Sequence, residues 1–170
     1  MSQPRAAWKA VAWLAAALAV GLCLRHWAVG AVRVSGTSMQ NTLCGGDVAL
    51  VTRFDYLAGS APERGDVVEC RFPGRRDTNI KRVIGLPGDA IRFFGGTLTV
   101  NDEAVPEAYV SSPTGDYSAQ LGEGEYLVLG DNREESYDSR MADMGPVGAD
   151  AFEGRVRFII WPPNRIGPVK

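Results

Sequence analysis

The 170-residue sequence predicts a mainly β fold: a β-sheet core, a small inserted β subdomain and one N-terminal transmembrane helix. Three observations point that way. Twenty glycines and ten prolines are scattered between short runs of β-branched and aromatic residues, which favours many tight turns over long helices. Ile91 to Phe94, then Gly95-Gly96, then Thr97 to Val100 is a hairpin pattern, because a Gly-Gly loop accepts the positive φ that primed turns require. Finally, Ala10 to Leu24 contains no charged or strongly polar residue.

As a helix that apolar run would span about 22 Å, short of the hydrocarbon thickness of roughly 30 Å, so its flanks must complete the crossing. Trp8 and Trp27 would lie about 28 Å apart along the axis, one at each interface, with Lys9 and Arg25 reaching outward. A transmembrane anchor over residues 1–32 is the preferred reading. A cleavable signal peptide is its rival, since Arg5 and Lys9 form a positive n-region and Ala28-Val-Gly30 resembles a cleavage site, although Arg25 lies awkwardly between. Orientation stays open, because Arg5 and Lys9 are balanced by Arg25 and Arg33.

The core is assigned to residues 33–89 and 126–170. Asp47 to Phe54 and Gly65 to Phe72 read as strands, with a loop from Tyr56 to Arg64 between them. Arg64-Gly-Asp66 is a turn before the second strand. Residues 90–125 hold the hairpin and form the inserted subdomain, in which Asn101 to Gly124 shows little periodicity. Tyr126 to Leu129 is a buried strand ending at Gly130-Asp-Asn-Arg133, and Arg155 to Ile160 alternates before hardening into an apolar run. Trp161-Pro-Pro cannot be central strand. Core packing is the expected role of Trp161, Ile159 and Ile160, ahead of contact with lipid headgroups.

Composition removes several functions. The net charge of −2 comes from 18 basic and 20 acidic residues that are interspersed, so no basic face suggests nucleic acid. The single histidine, His26, follows the apolar run, which leaves a Ser-His-Asp triad without its base. Cys23, Cys44 and Cys70 show no paired CxxC spacing, so a zinc centre is not expected. Cys44 and Cys70 could pair in an oxidising compartment, but nothing in their spacing sets the geometry.

What remains is a serine nucleophile activated by a lysine. Ser38 and Lys81 lie in two islands, Val34-Ser-Gly-Thr-Ser-Met-Gln-Asn-Thr-Leu43 and Asn79-Ile-Lys-Arg-Val-Ile-Gly-Leu-Pro-Gly-Asp89. A lysine acts as a base only when neutral, so its pKa must fall from about 10.4 to near 7 or 8, a shift equivalent to roughly 4 kcal/mol. Burial supplies such shifts, and Ile80, Val83 and Ile84 make an apolar setting for Lys81 plausible. Gly36 lets backbone approach a substrate carbonyl, and the Ser38 N–H is a natural oxyanion donor. Gly36 to Gln40 does not match the G-x-S-x-G elbow. Alone, each feature has a bland reading, a turn serine and a solvated strand end.

The two islands, with Gly130-Asp-Asn-Arg-Glu-Glu-Ser-Tyr-Asp-Ser-Arg140, resemble three signature boxes of the type I signal peptidases, in that family's order along the chain. The resemblance implies an anchored serine endopeptidase that removes signal peptides from exported preproteins, cutting after small residues at the −1 and −3 positions. It implies a single-pass protein of the cytoplasmic membrane, with a cytoplasmic N-terminus and the catalytic domain on the trans side. By position, Ser38 matches the nucleophile, Lys81 the general base and Ser136 the hydroxyl that orients the lysine amine. Gly36 falls near the oxyanion hole and Met39 where substrate and lysine are packed. Arg82, Asp131, Asp138 and Arg140 match residues that hold the core through turns and ion pairs. No metal or cofactor is required; the expected partners are signal peptides, the bilayer and the export machinery, with the chain a monomer.

Two positions depart from the family. Asn41 stands where proline is usual, which removes a fixed φ and would loosen the turn behind Ser38. Gly36 stands where some members carry an oxyanion-hole serine. Rival readings are a specialised conjugation or pilin-type Ser-Lys peptidase, a self-cleaving repressor of similar core, and an inactive membrane-anchored scaffold. The repressor would need a DNA-binding domain where this chain is apolar.

Overall fold

Short strands and frequent turns assemble into two antiparallel sheets. The structure, a computed structural model, describes the backbone of residues 4–57 and 60–170 and the side chains of 8–21, 28–56 and 60–170. In chain order the elements are α1 (Pro4–Ala28), β1 (Val29–Arg33), β2 (Val48–Thr52), the single turn α2 (Phe54–Leu57), β3 (Val67–Arg71), β4 (Thr78–Gly85), β5 (Ala90–Phe94), β6 (Thr97–Val100), β7 (Glu103–Val105), β8 (Tyr117–Gln120), β9 (Leu127–Leu129), β10 (Phe152–Trp161) and β11 (Gly167–Pro168). The first sheet runs β1-β2-β10-β3-β4-β9, with β11 added to β10. The second runs β7-β6-β5-β8.

Alternation along the strands builds three apolar clusters. Val68, Cys70, Val83, Val128 and Phe152 pack on one face of the first sheet; Val34, Met39, Leu43, Val51, Val67 and Val156 pack on the other. The third cluster joins the sheets: Ile84, Leu127 and Leu129 from the first meet Ile91, Phe93, Leu98 and Val100 from the second. Gly85 marks the crossing, where a Cβ would press on Leu121, Leu127 and Ile91. The β5–β6 hairpin closes at Phe94 opposite Thr97 through Gly95 and Gly96, both at positive φ (55° and 81°), as a two-residue primed turn requires.

Arg82 ties the strands to the loops. Its guanidinium pairs with the fully buried Asp131 at 2.6 Å and also donates to the Gly65 carbonyl at 2.9 Å, the Thr42 hydroxyl at 3.3 Å and the Lys170 carbonyl at 2.9 Å. The Tyr109 ring, carried by the second sheet, lies 3.9 Å from its central carbon.

Several expectations need correction. Val29 to Val32, expected in the membrane segment, instead belong to β1, which pairs with β2 from Val29 opposite Thr52 to Arg33 opposite Val48. Phe54 and Tyr56 form a helical turn rather than strand end and loop, because the Thr52 hydroxyl bonds the Asp55 carboxylate at its start. Within the stretch read as aperiodic, Glu103 to Val105 and Tyr117 to Gln120 are edge strands too short to show a period. Trp161 is 56% exposed, with Ile160 also exposed, so only Ile159 of that trio packs in the core.

The apolar side chains of α1 face outward, among them Trp8, Trp13, Leu14 and Leu18. No helix among the described residues is long and apolar enough to cross a membrane, so the expected transmembrane span is not supported. The side chains of Arg5, Cys23, Arg25, His26 and Trp27 lie outside the described ones.

The turn behind Ser38 also differs from expectation. Asn41 has φ of +86°, a conformation closed to proline and tolerated by asparagine. Asparagine therefore suits this turn instead of loosening it. Asn41→Pro should destabilise the protein by roughly 1–3 kcal/mol, whereas Asn41→Gly should hold or raise the denaturant midpoint. Arg82→Met, which strands a buried carboxylate, should cost about 3–5 kcal/mol, and adding Asp131→Leu should recover most of that loss in the same unfolding assay.

Candidate active site

Lys81 sits in mid β4, opposite Val68 of β3, and only 2% of it is exposed. Its Nζ donates to the Ser136 hydroxyl at 3.0 Å, and it has no ion-pair partner among the described residues. Burial pulls its pKa below the ordinary lysine value; the carboxylates of Asp138 and Asp131 oppose that shift and the Arg140 cation adds to it. Cys70, on the same face, is pushed up to about 12 by burial. It therefore stays a neutral thiol near pH 7 and offers no thiolate to hold the ammonium form.

The loop after β9 carries the lysine's partner. Asp138 is fully buried and its pKa is lowered: burial alone would raise it, but bonds from Arg140, from the Ser136 hydroxyl and from the Gly130 N–H outweigh that effect. Arg140 donates to Asp138 at 2.8 Å and to the carbonyls of Arg133 and Ser136 at 2.7 and 3.3 Å, closing the loop on itself. Gly130 lies where this loop meets the turn that carries Ser38. A Cβ there would overlap both the Ser136 hydroxyl and the Ser38 carbonyl, so only glycine allows the approach.

Ser38 opens a turn closed by the Gln40 N–H on the Thr37 carbonyl at 3.0 Å and the Leu43 N–H on the Met39 carbonyl at 2.8 Å. Asn132 holds that turn in place, its N–H donating to the Ser38 carbonyl at 2.9 Å and its amide to the Thr37 carbonyl at 3.2 Å. Thr42 adds a bond to Asp131 at 2.5 Å. No hydrogen bond joins Ser38 directly to Lys81; the two meet through the shared neighbourhood of Ser136 and Gly130. The Ser38 hydroxyl has no hydrogen-bond partner among the described residues and borders an open groove.

That groove is lined by Val32 to Gly36 on one side and Thr78 to Ile80 on the other, with Ser38 and Met39 at its end. β9 covers β4 only from Arg82 to Gly85, which leaves the Thr78–Ile80 edge without a strand partner on that side. Met39 is 2% exposed and fills the floor with Val34 and Leu43. Gly36 is exposed, and a Cβ there would meet nothing within 4 Å, so the serine found in some relatives would fit. Cys44 and Cys70 are both free thiols.

Ser38, Lys81, Ser136, Asp131, Asp138, Arg82 and Arg140 thus converge on one end of the first sheet. Asn132, Arg133 and Thr42 were not singled out from the sequence, although all three lie inside the quoted islands. Glu107, which bonds Arg133, carried no sequence signal at all.

The family model described as "Signal peptidase, peptidase S26" matches residues 7–161, a span that contains all three islands. A probable signal peptidase I-2 of a Synechocystis strain is 34% identical over 158 residues, covering 88% of this chain and 70% of its own. A signal peptidase I of Bacillus licheniformis is 33% identical over 162 residues, covering 88% of this chain and 86% of its own. The crystal structure of a signal peptidase I from Enterococcus faecalis V583 superposes with a TM-score of 0.51 at 31% identity, over 55% of this chain and 95% of that one. With the family model matching most of the chain and relatives above 30% identity, the chain belongs to the signal peptidase family, peptidase S26, and is a serine endopeptidase.

Proposed function

We propose that the protein removes N-terminal signal peptides from exported preproteins through an acyl-enzyme on Ser38, with Lys81 as general base. The observation that carries this reading is the Lys81 amine, buried with no counter-ion among the described residues and hydrogen-bonded to Ser136. Burial lowers its pKa and so favours the neutral form, whose lone pair can accept a proton.

The preprotein lies extended in the groove and adds to the free Thr78–Ile80 edge of β4, with small side chains at −1 and −3 against Val34, Met39 and Ile80. Ser38 Oγ attacks the scissile carbonyl as its proton passes to Lys81, and the oxyanion takes the Ser38 N–H. The ammonium then protonates the leaving amine as the C–N bond breaks. Water, deprotonated by the same amine, releases the acyl group. Ser136 keeps Nζ aimed while it cycles between charged and neutral forms.

The protein is membrane-associated in this reading, held by the outward-facing apolar residues of α1, with the catalytic domain on the trans side and the export machinery upstream. A tethered enzyme meets a bilayer-held substrate at high effective concentration. Trp161, Ile160 and Ile166 are exposed as well, and the Trp161 ring suits the headgroup boundary.

Ser38→Ala and Lys81→Met should each abolish preprotein cleavage, and Ser136→Ala should slow it by roughly 10- to 100-fold, near the lower end of general-base effects. Because the base must be deprotonated, kcat/KM should rise with pH through the depressed Lys81 pKa and level off below the ordinary lysine value near 10.4. A limb at the ordinary value, or activity surviving both Ser38→Ala and Lys81→Met, would exclude this dyad. Vesicles carrying a lipid-borne quencher should quench Trp161 fluorescence, measured in a variant with the other three tryptophans replaced by phenylalanine.

A further inference from the structure

We propose that Glu107, carried by the second sheet, is a positioning residue for the catalytic loop, which gives the inserted subdomain a part in catalysis. This rests on the serine-lysine reading above.

Glu107 follows β7 and belongs to neither the groove nor the three islands. Its carboxylate accepts two bonds from Arg133, at 2.5 and 3.3 Å, and one from the Tyr109 hydroxyl at 3.0 Å. Arg133 is 1% exposed at its side chain and Glu107 10%, so the pair is shielded from the solvent that weakens surface ion pairs. Thr114 adds a third anchor, accepting from Arg133 at 2.7 Å, and Phe93 supports the guanidinium from 5.3 Å. The second sheet therefore holds Arg133 from three directions.

The two partners of Glu107 lead to neighbouring residues of the loop. Arg133 Nε donates to the Gly130 carbonyl at 2.9 Å, while Tyr109 stacks on Arg82, whose guanidinium grips Asp131. Gly130 and Asp131 are thereby fixed from two sides by one carboxylate. Gly130 is also the residue pressed between the Ser38 carbonyl and the Ser136 hydroxyl, where no Cβ fits. A small displacement there changes the distance between the nucleophile's turn and the hydroxyl that aims Lys81.

The geometry distinguishes positioning from mere packing, because Glu107 touches neither the groove nor any proposed reacting atom. Its loss should lower kcat and leave KM nearly unchanged. The test compares wild type, Glu107→Gln, Arg133→Gln and the double variant on a preprotein, with hydrogen exchange at the Gly130 and Asn132 amides followed in parallel. These amides bond the Asp138 carboxylate and the Ser38 carbonyl. Glu107→Gln should reduce kcat roughly 10- to 100-fold with KM within about twofold, as expected for misplacement of reacting groups by an ångström or less. Exchange at both amides should quicken by at least about tenfold while the β5–β6 hairpin stays protected. The double variant should lose little more than Arg133→Gln alone, since both act through one contact.

A folded Glu107→Gln protein with wild-type kcat and unchanged exchange overturns the proposal, and so does a loss confined to KM. If Glu107→Gln does not fold, Tyr109→Phe decides the matter, since it keeps the ring on Arg82 and removes only the hydroxyl bond: a smaller fall in kcat with faster Gly130 exchange supports positioning, and no change in either sinks it. Failure of the wild-type protein to cleave any preprotein would defeat the functional reading instead, and the exchange measurements would still decide whether Glu107 holds the loop.

Discussion

Two adjacent cations on one strand are buried on opposite faces of the sheet, and the fold treats them in opposite ways. Arg82 is given a buried carboxylate, two carbonyls, a hydroxyl and an aromatic face, so its charge is retained and becomes a fastening. Lys81 is given one hydroxyl and an apolar surround. Guanidinium cannot shed its proton in a protein, whereas ammonium can, so the residue types suit the treatments. Under the proposed mechanism the neighbouring positions supply a fixed charge for structure and a removable one for chemistry.

The carboxylates near Lys81 are committed to other donors. Asp131 is spent on Arg82 and Thr42, and Asp138 on Arg140, the Gly130 N–H and the Ser136 hydroxyl. Those donors hold the Asp138 carboxyl below its ordinary pKa, and neither carboxylate forms an ion pair with the lysine. The residues that look merely structural thus shape the surroundings of Lys81, because a carboxylate left free beside Nζ would favour its charged form. The buried Cys70 thiol belongs to the same arrangement, its burial excluding a thiolate from that face.

The turn that carries Ser38 and the loop that carries Ser136 come from distant parts of the chain, and Gly130 is where they touch. Asn132 crosses that contact to hold the Ser38 and Thr37 carbonyls. Position there is set by backbone donors and by the absence of a side chain, which leaves the substrate groove on the far side of Ser38 open.

Much was legible in the sequence, for physical reasons tied to particular residues. The β5–β6 hairpin could be read because Gly95-Gly96 is a local steric requirement, and β2, β3, β9 and most of β10 because β-branched runs between turn residues need little outside help. Ser38 and Lys81 stood out through the lack of a histidine and the islands around them, and the fold brings both to the neighbourhood of Ser136 and Gly130. Other features were decided only by contacts distant in the chain. Val29 to Val32 look like an extension of the apolar helix until β2 offers them an edge, and the φ of Asn41 depends on how the turn behind Ser38 closes over Met39 and Leu43. Glu107 stands in a stretch without periodicity and acquires meaning only once folding places it against Arg133. Sequence determined which groups could carry charge, turn or strand; tertiary structure alone decided which charges are neutralised, because desolvation and pairing depend on neighbours that the chain brings in from afar.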